Sequence, residues 1–223
     1  MIFLFHEDAS KERITIKGET YKYLIKVRRH QVGDTILMRS MACHKDLYHY
    51  EITSIDAREA VLELKESELK EVKPSKNLHI AWCAIDPKSV EKVLPTLSEI
   101  GVNRISFIYC ERSQKNFKPD FKRLERILES SMMQSGRSTM MKLGIYKNLK
   151  EFLKEFPDTK VFDFTDRVLD GDADFETVLI GCEGGFSHTE KELLASQEVF
   201  RLDTPMVLRS ESAAVAIASK ILL

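Results

Sequence analysis

Three short segments hold the residue types that chemistry needs. Val178-Leu179-Ile180-Gly181-Cys182-Glu183-Gly184-Gly185-Phe186-Ser187 is an apolar run that enters a glycine-rich turn. Glycine tolerates positive φ and lets a ligand approach the backbone closely. In an open α/β sheet, ligands bind at the carboxyl ends of the strands, where this turn would lie. The turn is not a phosphate loop: G-x-x-x-x-G-K-[ST] and G-x-G-x-x-G are both missing, and Glu183 would repel a phosphate. A plain strand-to-helix connection accounts for the glycines equally well. The second segment runs from Leu202 to Ala213 and includes Arg209, Ser210 and Glu211. There Ser210 reads as a helix N-cap and Glu211 as a first-turn acid that favours the helix dipole. An ordinary buried terminal helix explains the alanines that follow, but not the Arg209-x-Glu211 pair. The third, Met133-Gln134-Ser135-Gly136-Arg137, ends an amphipathic stretch with a glycine stop and a cation at the negative helix end.

Cation placement adds a fourth feature. Between Glu19 and Asp34 the chain has no acid but carries Lys22, Lys26, Arg28, Arg29 and His30. Bases also outnumber acids from Arg104 to Lys154, and the balance reverses from Asp158 to Glu198. Two separate basic regions suit an extended phosphate backbone; solvated charged faces are the plainer alternative. The six histidines form no H-x-x-x-H or H-E-x-x-H set, so no metal is expected, and no G-x-S-x-G elbow marks a nucleophile. Cys43, Cys83, Cys110 and Cys182 include no C-x-x-C pair, which fits reduced thiols and a cytoplasmic protein.

The elements that must position these segments change character along the chain. Ile2–Phe5, Arg13–Lys17, Asp34–Arg39, Leu47–Ile55 and Ala60–Leu64 read as strands, with a short helix over Glu19–Lys26. Lys65–Asn77 is charged, ends in Pro74-Ser75 ahead of Lys76 and Asn77, and reads as a linker. Strand and helix then alternate. Leu78–Ile85 has the unbroken apolarity of a parallel strand covered on both faces, and Asp86-Pro87 caps a helix that stops before Gly101. A helix follows Pro119, strands fall at Arg104–Cys110, Thr159–Phe164, Thr177–Gly181 and Phe200–Leu202, and Ser187-His188-Thr189-Glu190 has the capping-box form of a helix reaching about Gln197. A last helix starts at Ser210. The fold class is α/β, with a β domain over 1–70 and an α/β domain over 77–223.

Bulk composition restricts function without choosing it. With 34 Lys+Arg against 35 Asp+Glu, the net charge of −1 argues against indiscriminate polycation binding. Hydrophobic residues at 43% support a folded core, and no apolar run approaches the ~20 residues of a membrane span.

Taken in order, the segments resemble a known family. Gly181-Cys182-Glu183-Gly184-Gly185-Phe186 is similar to its G-P-E-G-G-[FW], Leu208-Arg209-Ser210-Glu211-Ser212-Ala213 to L-R-T-E-T-A, and Gln134-Ser135-Gly136-Arg137 matches Q-S-G-R. Ser98-Glu99-Ile100-Gly101-Val102 resembles T-E-L-G-V, Glu111-Arg112-Ser113 matches E-R-S, and Val27-Arg28-Arg29 with Gly33-Asp34 resembles V-L-R…G-D. The family is the bacterial 16S ribosomal RNA uridine-N3 methyltransferases of the SPOUT superfamily. Cys182 stands in place of the proline, Ser210 and Ser212 in place of threonines, and Asp203 where glycine is usual.

The resemblance implies an amino-terminal PUA-like β-barrel that binds RNA and a carboxy-terminal SPOUT domain with a trefoil knot. It implies S-adenosyl-L-methionine as cofactor, a homodimer, no membrane, and uridine 1498 of 16S rRNA in the small ribosomal subunit as substrate. Cofactor contacts carry over to Ile180, Gly181, Glu183, Gly184, Gly185, Leu202, Leu208, Arg209, Ser210 and Ala213. Position beside that loop makes Arg209 and Glu211 the catalytic candidates, Glu211 to orient Arg209 or take a proton. Arg28, Arg29, Arg112 and Arg137 are the RNA-contact candidates. Bulk at Gly184 is expected to fill cofactor space. A noncatalytic RNA-binding ribosome-assembly protein and an α/β enzyme using a small nucleotide are the competing classes.

Overall fold

The computed structural model describes residues 2–114, 116–169 and 175–223. The chain forms two compact units: Met1–Lys73 with Met132–Thr139, and Pro74–Ser131 with Met140–Leu223.

The first unit is a curled, open half-barrel of five strands in the order β1-β3-β4-β5-β2. These are β1 (Leu4–His6), β2 (Arg13–Lys17), β3 (Thr35–Ser40), β4 (Asp46–Ile55) and β5 (Glu59–Leu69). Alternation fixes which face is inside: Ile14 and Ile16 of β2 are buried between exposed neighbours, the period-2 signature. The register of β4 on β5 shifts at His49/Tyr50 and again at Ile52/Ser54, and such bulges bend long strands and raise their twist. Three expectations are corrected here. The charged stretch after Leu64 is not all linker, because β5 continues to Leu69; pairing with β4 outweighs its polarity. The short helix is α1 (Gly18–Tyr21) followed by a π-helical turn, Lys22–Val27. The segment after Met132 belongs with the β strands, since Ile2 N donates to Met133 O (2.8 Å) and Ser138 pairs with Val72 through N–H to O (2.8 Å) and Val72 N to Ser138 Oγ (2.8 Å).

The second unit is a six-stranded, all-parallel sheet in the order β11-β9-β10-β6-β7-β8. Its strands are β6 (His79–Cys83), β7 (Arg104–Ile108), β8 (Lys142–Tyr146), β9 (Lys160–Phe162), β10 (Thr177–Ile180) and β11 (Val199–Phe200). All five residues of β6 are buried, as a central parallel strand requires. The helices are α2 (Pro87–Ile100), α3 (Phe121–Ser135), α4 (Leu149–Glu155), α5 (His188–Leu193) and α6 (Ser210–Leu222). Asp86 caps α2 by accepting from Ser89 N at 3.1 Å, and Gly101 ends it at φ 116°. The strand β8 and the helix α4 had no clear signal in the sequence: β8 alternates only partly and α4 is a short helix. The capping-box helix ends at Leu193, short of Gln197. Among the described residues no helix is long and apolar enough to cross a membrane.

One buried group makes this unit sensitive to acid. His79 opens β6 with Nε2 2.8 Å from Ser106 Oγ, edge-on to Phe152 and Phe156. Burial, reinforced by the charge of Arg104, pushes its pKa down to about 3, against ~6.5 for an unfolded histidine. The unfolded chain therefore takes the proton first. The neutral His79 costs the fold nothing above ~6.5, and stability falls by about 1.4 kcal/mol per unit as pH drops from there towards ~3. Urea titrations should accordingly show wild type losing about 2 kcal/mol more than His79→Gln between pH ~7 and ~5. Equal losses in the two proteins would remove His79 as the source.

Candidate functional site

The carboxyl ends of β9, β10 and β11 open onto a cavity of about 330 Å³, within the size range of small-molecule sites. Three loops enclose it: the start of the loop after β9 (Asp163, Phe164), the glycine turn after β10 (Gly181 to Phe186), and the long connection from β11 to α6 (Arg201 to Arg209). Sequence and structure agree on much of the lining. Ile180, Gly181, Glu183, Gly185, Leu202, Leu208, Arg209, Ser210 and Ala213 all face it; Gly184 and Glu211 do not. Asp163, Phe164, Arg201, Met206 and Val207 also line it. The only sequence signal for these was their place just past predicted strands or within a loop already singled out.

A single hydroxyl ties the two main loops together. Ser210 Oγ donates to Gly181 O at 2.6 Å and accepts from Trp82 Nε1 at 2.8 Å. Ser210 and Trp82 are both buried. This corrects the reading of Ser210 as N-cap: Arg209 occupies that position, with extended φ −65° and ψ 155° and no side-chain cap, and Ser210 is the first helical residue. Its hydroxyl faces inward, where the buried Trp82 N–H needs an acceptor and the half-buried Gly181 carbonyl accepts its hydrogen bond.

A second clasp holds the glycine turn from outside. Arg112 Nη1 donates to Gly184 O (2.9 Å), Glu111 N donates to Glu190 Oε1 (2.8 Å), and the Cys182 thiol donates to Arg112 O (3.1 Å). Burial pushes the Cys182 thiol pKa up, so it keeps the proton it donates. Ser113 Oγ accepts from Cys110 N at 2.9 Å and shapes the same loop. Glu190 also completes the capping box of α5, accepting from Ser187 N (2.9 Å) while Ser187 Oγ accepts from Glu190 N (3.1 Å). A buried carboxylate thus satisfies backbone donors of two loops. The expectation for Gly184 is corrected by this clasp. A Cβ there would meet Arg112 Cβ at 3.1 Å, not the cavity. Gly185, at φ 64° and lining the cavity, is the glycine whose conformation the turn requires.

The charged candidates separate. Arg209 is exposed at the cavity wall, and its side chain makes no hydrogen bond or ion pair among the described residues. Glu211 sits in the first turn of α6, and the two form no ion pair, so the structure does not show Glu211 orienting Arg209. Arg28 and Arg29 are exposed, and Arg112 is exposed but partly committed to Gly184. Arg137 is 5% exposed, its Nε donates to Thr139 O at 2.6 Å, and burial pushes its pKa down to about 10. A guanidinium buried this deeply does not present itself to a phosphate, so Arg137 is corrected from RNA contact to structural residue. Among the described residues no cluster of His, Cys, Asp and Glu suits a metal.

Comparison with known proteins fits this geometry. Residues 72–222 match the family described as RNA methyltransferase domain. A ribosomal RNA small subunit methyltransferase E of Helicobacter pylori is 40% identical over 225 residues, covering 98% of each chain. The chain belongs to this RNA methyltransferase family. Another ribosomal RNA small subunit methyltransferase E, from Aquifex aeolicus, is 29% identical over 78% of this chain and 80% of its own. Among solved structures, a probable rRNA-methyltransferase from Porphyromonas gingivalis superposes with a TM-score of 0.78 at 23% identity, over 98% of this chain and 95% of that one. The Neisseria gonorrhoeae ribosomal RNA small subunit methyltransferase E, solved bound to S-adenosyl methionine, superposes with a TM-score of 0.75 at 18% identity, over the same shares. These likenesses carry the fold, including the half-barrel and the parallel sheet.

Removing the Ser210 hydroxyl tests the tie directly. Ser210→Ala leaves the Trp82 N–H and the Gly181 carbonyl without that partner, which should cost about 1–3 kcal/mol in urea unfolding. Ser210→Thr keeps the hydroxyl and should lose far less. If both variants matched wild type, the hydroxyl would not be holding the loops.

Proposed function

We propose that the protein transfers a methyl group from S-adenosylmethionine to uracil N3 in 16S ribosomal RNA of the small subunit, at the position corresponding to uridine 1498. The observation that carries the reading is the cavity at the strand ends, walled by the residues the family motifs single out. Those walls suit the donor. Apolar Ile180, Leu202 and Leu208 offer a slot for a flat base, and the main chain at Gly181, Gly185 and Ser210 offers polar groups. Bound there, the donor supplies a methyl group on a positive sulfonium.

The rest falls to side chains of this chain. The uracil imide becomes nucleophilic as its proton leaves, and a cation placed nearby stabilises that charge. Arg209 is exposed at the cavity wall with its guanidinium uncommitted, and takes this role. Glu211, in the first turn of α6, is the candidate to accept a proton, acting separately from Arg209. Arg28, Arg29 and Arg112 are the contacts to RNA. On this reading the half-barrel is a PUA-like RNA-binding module, the parallel unit a SPOUT domain, and the loops tied by Ser210 belong to its trefoil knot. The protein then works in the cytoplasm.

A noncatalytic assembly factor would need neither the cavity nor an unpaired arginine beside it. Calorimetry should give one donor bound per chain. Labelled donor with small subunits that lack the modification should label one uracil. Arg209→Ala should keep donor affinity, because its guanidinium is assigned to the substrate, while slowing transfer by about 10²-fold, the scale of a lost transition-state donor. Donor binding without any transfer to subunits would refute the enzyme assignment.

The proposed homodimer draws support from the rim, not from the small residues of α6. Ala213, Ala214, Ile217 and Ala218 are buried within the chain itself, so they do not call for a partner helix. Phe164, Met206 and Val207 at the cavity are instead 79%, 66% and 77% exposed, the kind of apolar patch that marks an interaction site. Light scattering of the full chain should report a dimer, and Met206→Glu with Val207→Glu should split it while leaving the fold intact. A monomeric wild type at high micromolar concentration would end this proposal.

A further inference from the structure

The first unit contains a second cavity, about 360 Å³, between the π-helical turn and the strands β1 and β3. Tyr23, Arg28 and His30 line it together with apolar groups including Phe3 and Ile36. Four features of its wall and of the chain beside it point to a ligand. The Arg28 guanidinium lies over the Tyr23 ring, 5.6 Å from its centroid, and among the described residues has no carboxylate partner. A flat cation stacked on an aromatic ring offers a planar, positive surface of the kind unstacked RNA bases occupy. The turn that carries Tyr23 and is capped by Arg28 is π-wound over Lys22–Val27, a rare geometry that concentrates at functional sites. Arg29 follows in the left-handed region at φ 62°, where glycine would be free of strain. The fourth feature is charge: no acid lies between Glu19 and Asp34, and Asp34 is engaged by His30 Nδ1 at 3.0 Å and by Gln31 N at 3.0 Å.

We propose that this cavity is a subsite for a single unstacked nucleotide of RNA, its base against the Arg28–Tyr23 stack and its phosphate within reach of Arg29. The proposal rests on the reading of the protein as an RNA methyltransferase and assigns its half-barrel a nucleotide-sized contact, where charge alone would give only backbone attraction. Strain at Arg29 supports it, because strained residues persist where a side chain is needed. A glycine at position 29 would remove that strain but also the cation. The base should be read by stacking and not by edge contacts, so binding should favour single strands and tolerate changes of base.

The test uses the full-length protein and a single-stranded RNA of about ten nucleotides carrying 2-aminopurine. Wild type should quench the probe, and Tyr23→Leu should weaken binding about fivefold or more with the salt slope unchanged, since stacking releases no counterions. Tyr23→Phe should bind like wild type. Arg29→Gly should unfold at a higher temperature than wild type yet bind more weakly, with the slope shallower by about 0.7 for one lost phosphate. That opposition is one a purely structural role for Arg29 would not produce. Unchanged affinity and quenching in a folded Tyr23→Leu protein would overturn the subsite, as would a wild type that binds the RNA without quenching the probe. Calorimetry with S-adenosylmethionine on the same variants separates the two readings. Intact donor binding with no RNA response sinks the subsite alone, whereas loss of donor binding in wild type sinks the enzyme reading as well.

Discussion

The second unit depends on one buried hydroxyl with two obligations. Trp82 lies in the central strand β6 with its ring fully buried, so its indole N–H must find an acceptor inside the protein. Gly181, the first residue past β10, has a carbonyl that the sheet no longer pairs. Ser210 answers both at 2.8 and 2.6 Å, and in doing so fixes where α6 begins relative to the glycine turn. Neither loop has regular secondary structure of its own to set its path. A hydroxyl at this point therefore determines the shape of the wall, since a residue without one leaves both groups without that partner.

The outer clasp follows from the same scarcity. Much of the cavity wall is main chain and apolar side chains, which recognise by shape only if the backbone is held still. Arg112 on the Gly184 carbonyl and the Cys182 thiol on the Arg112 carbonyl bind the turn to a neighbouring loop at two points, and Glu190 of α5 on the Glu111 amide adds a third just beyond it. Substitution of Cys182 for the family's proline is accommodated here. Proline would fix φ directly, whereas Cys182 supplies a donor that fastens the turn by a contact.

What the sequence made legible was local. The Asp86 cap, the Gly101 stop, the Ser187–Glu190 box and the apolar run of β6 each depend on neighbours in the chain, and each is present. Nine of the ten expected cofactor residues line one cavity, because the motifs mark strand ends and parallel strands bring those ends together. What stayed hidden was set by distant partners. Nothing near Trp82 signals that its nitrogen meets a residue 128 positions away. Nothing near Arg137 shows that it will be buried, since the Val72–Ser138 pairing that draws its segment towards the β strands spans 66 residues. Polarity made residues after Leu64 look like linker, yet Asp46 to His49 of β4 supplied partners for Glu66 to Leu69.

The isolation of Arg209 is informative for the chemistry proposed. Glu211 is two residues away, and an ion pair would be easy to form at a helix entrance, yet none exists among the described residues. A paired guanidinium would already be neutralised in the resting protein, and its interaction with a substrate would be offset by the bond it had to break. An unpaired one interacts fully only when negative charge arrives, and a contact that strengthens towards the transition state is the one that accelerates a reaction. The helix geometry accounts for the separation. Arg209 is the N-cap, with extended backbone, whereas Glu211 lies inside the first turn, where its charge is balanced by the amino-terminal end of the helix dipole. Glu211 is thus stabilised without the arginine, and Arg209 is left free for an anion.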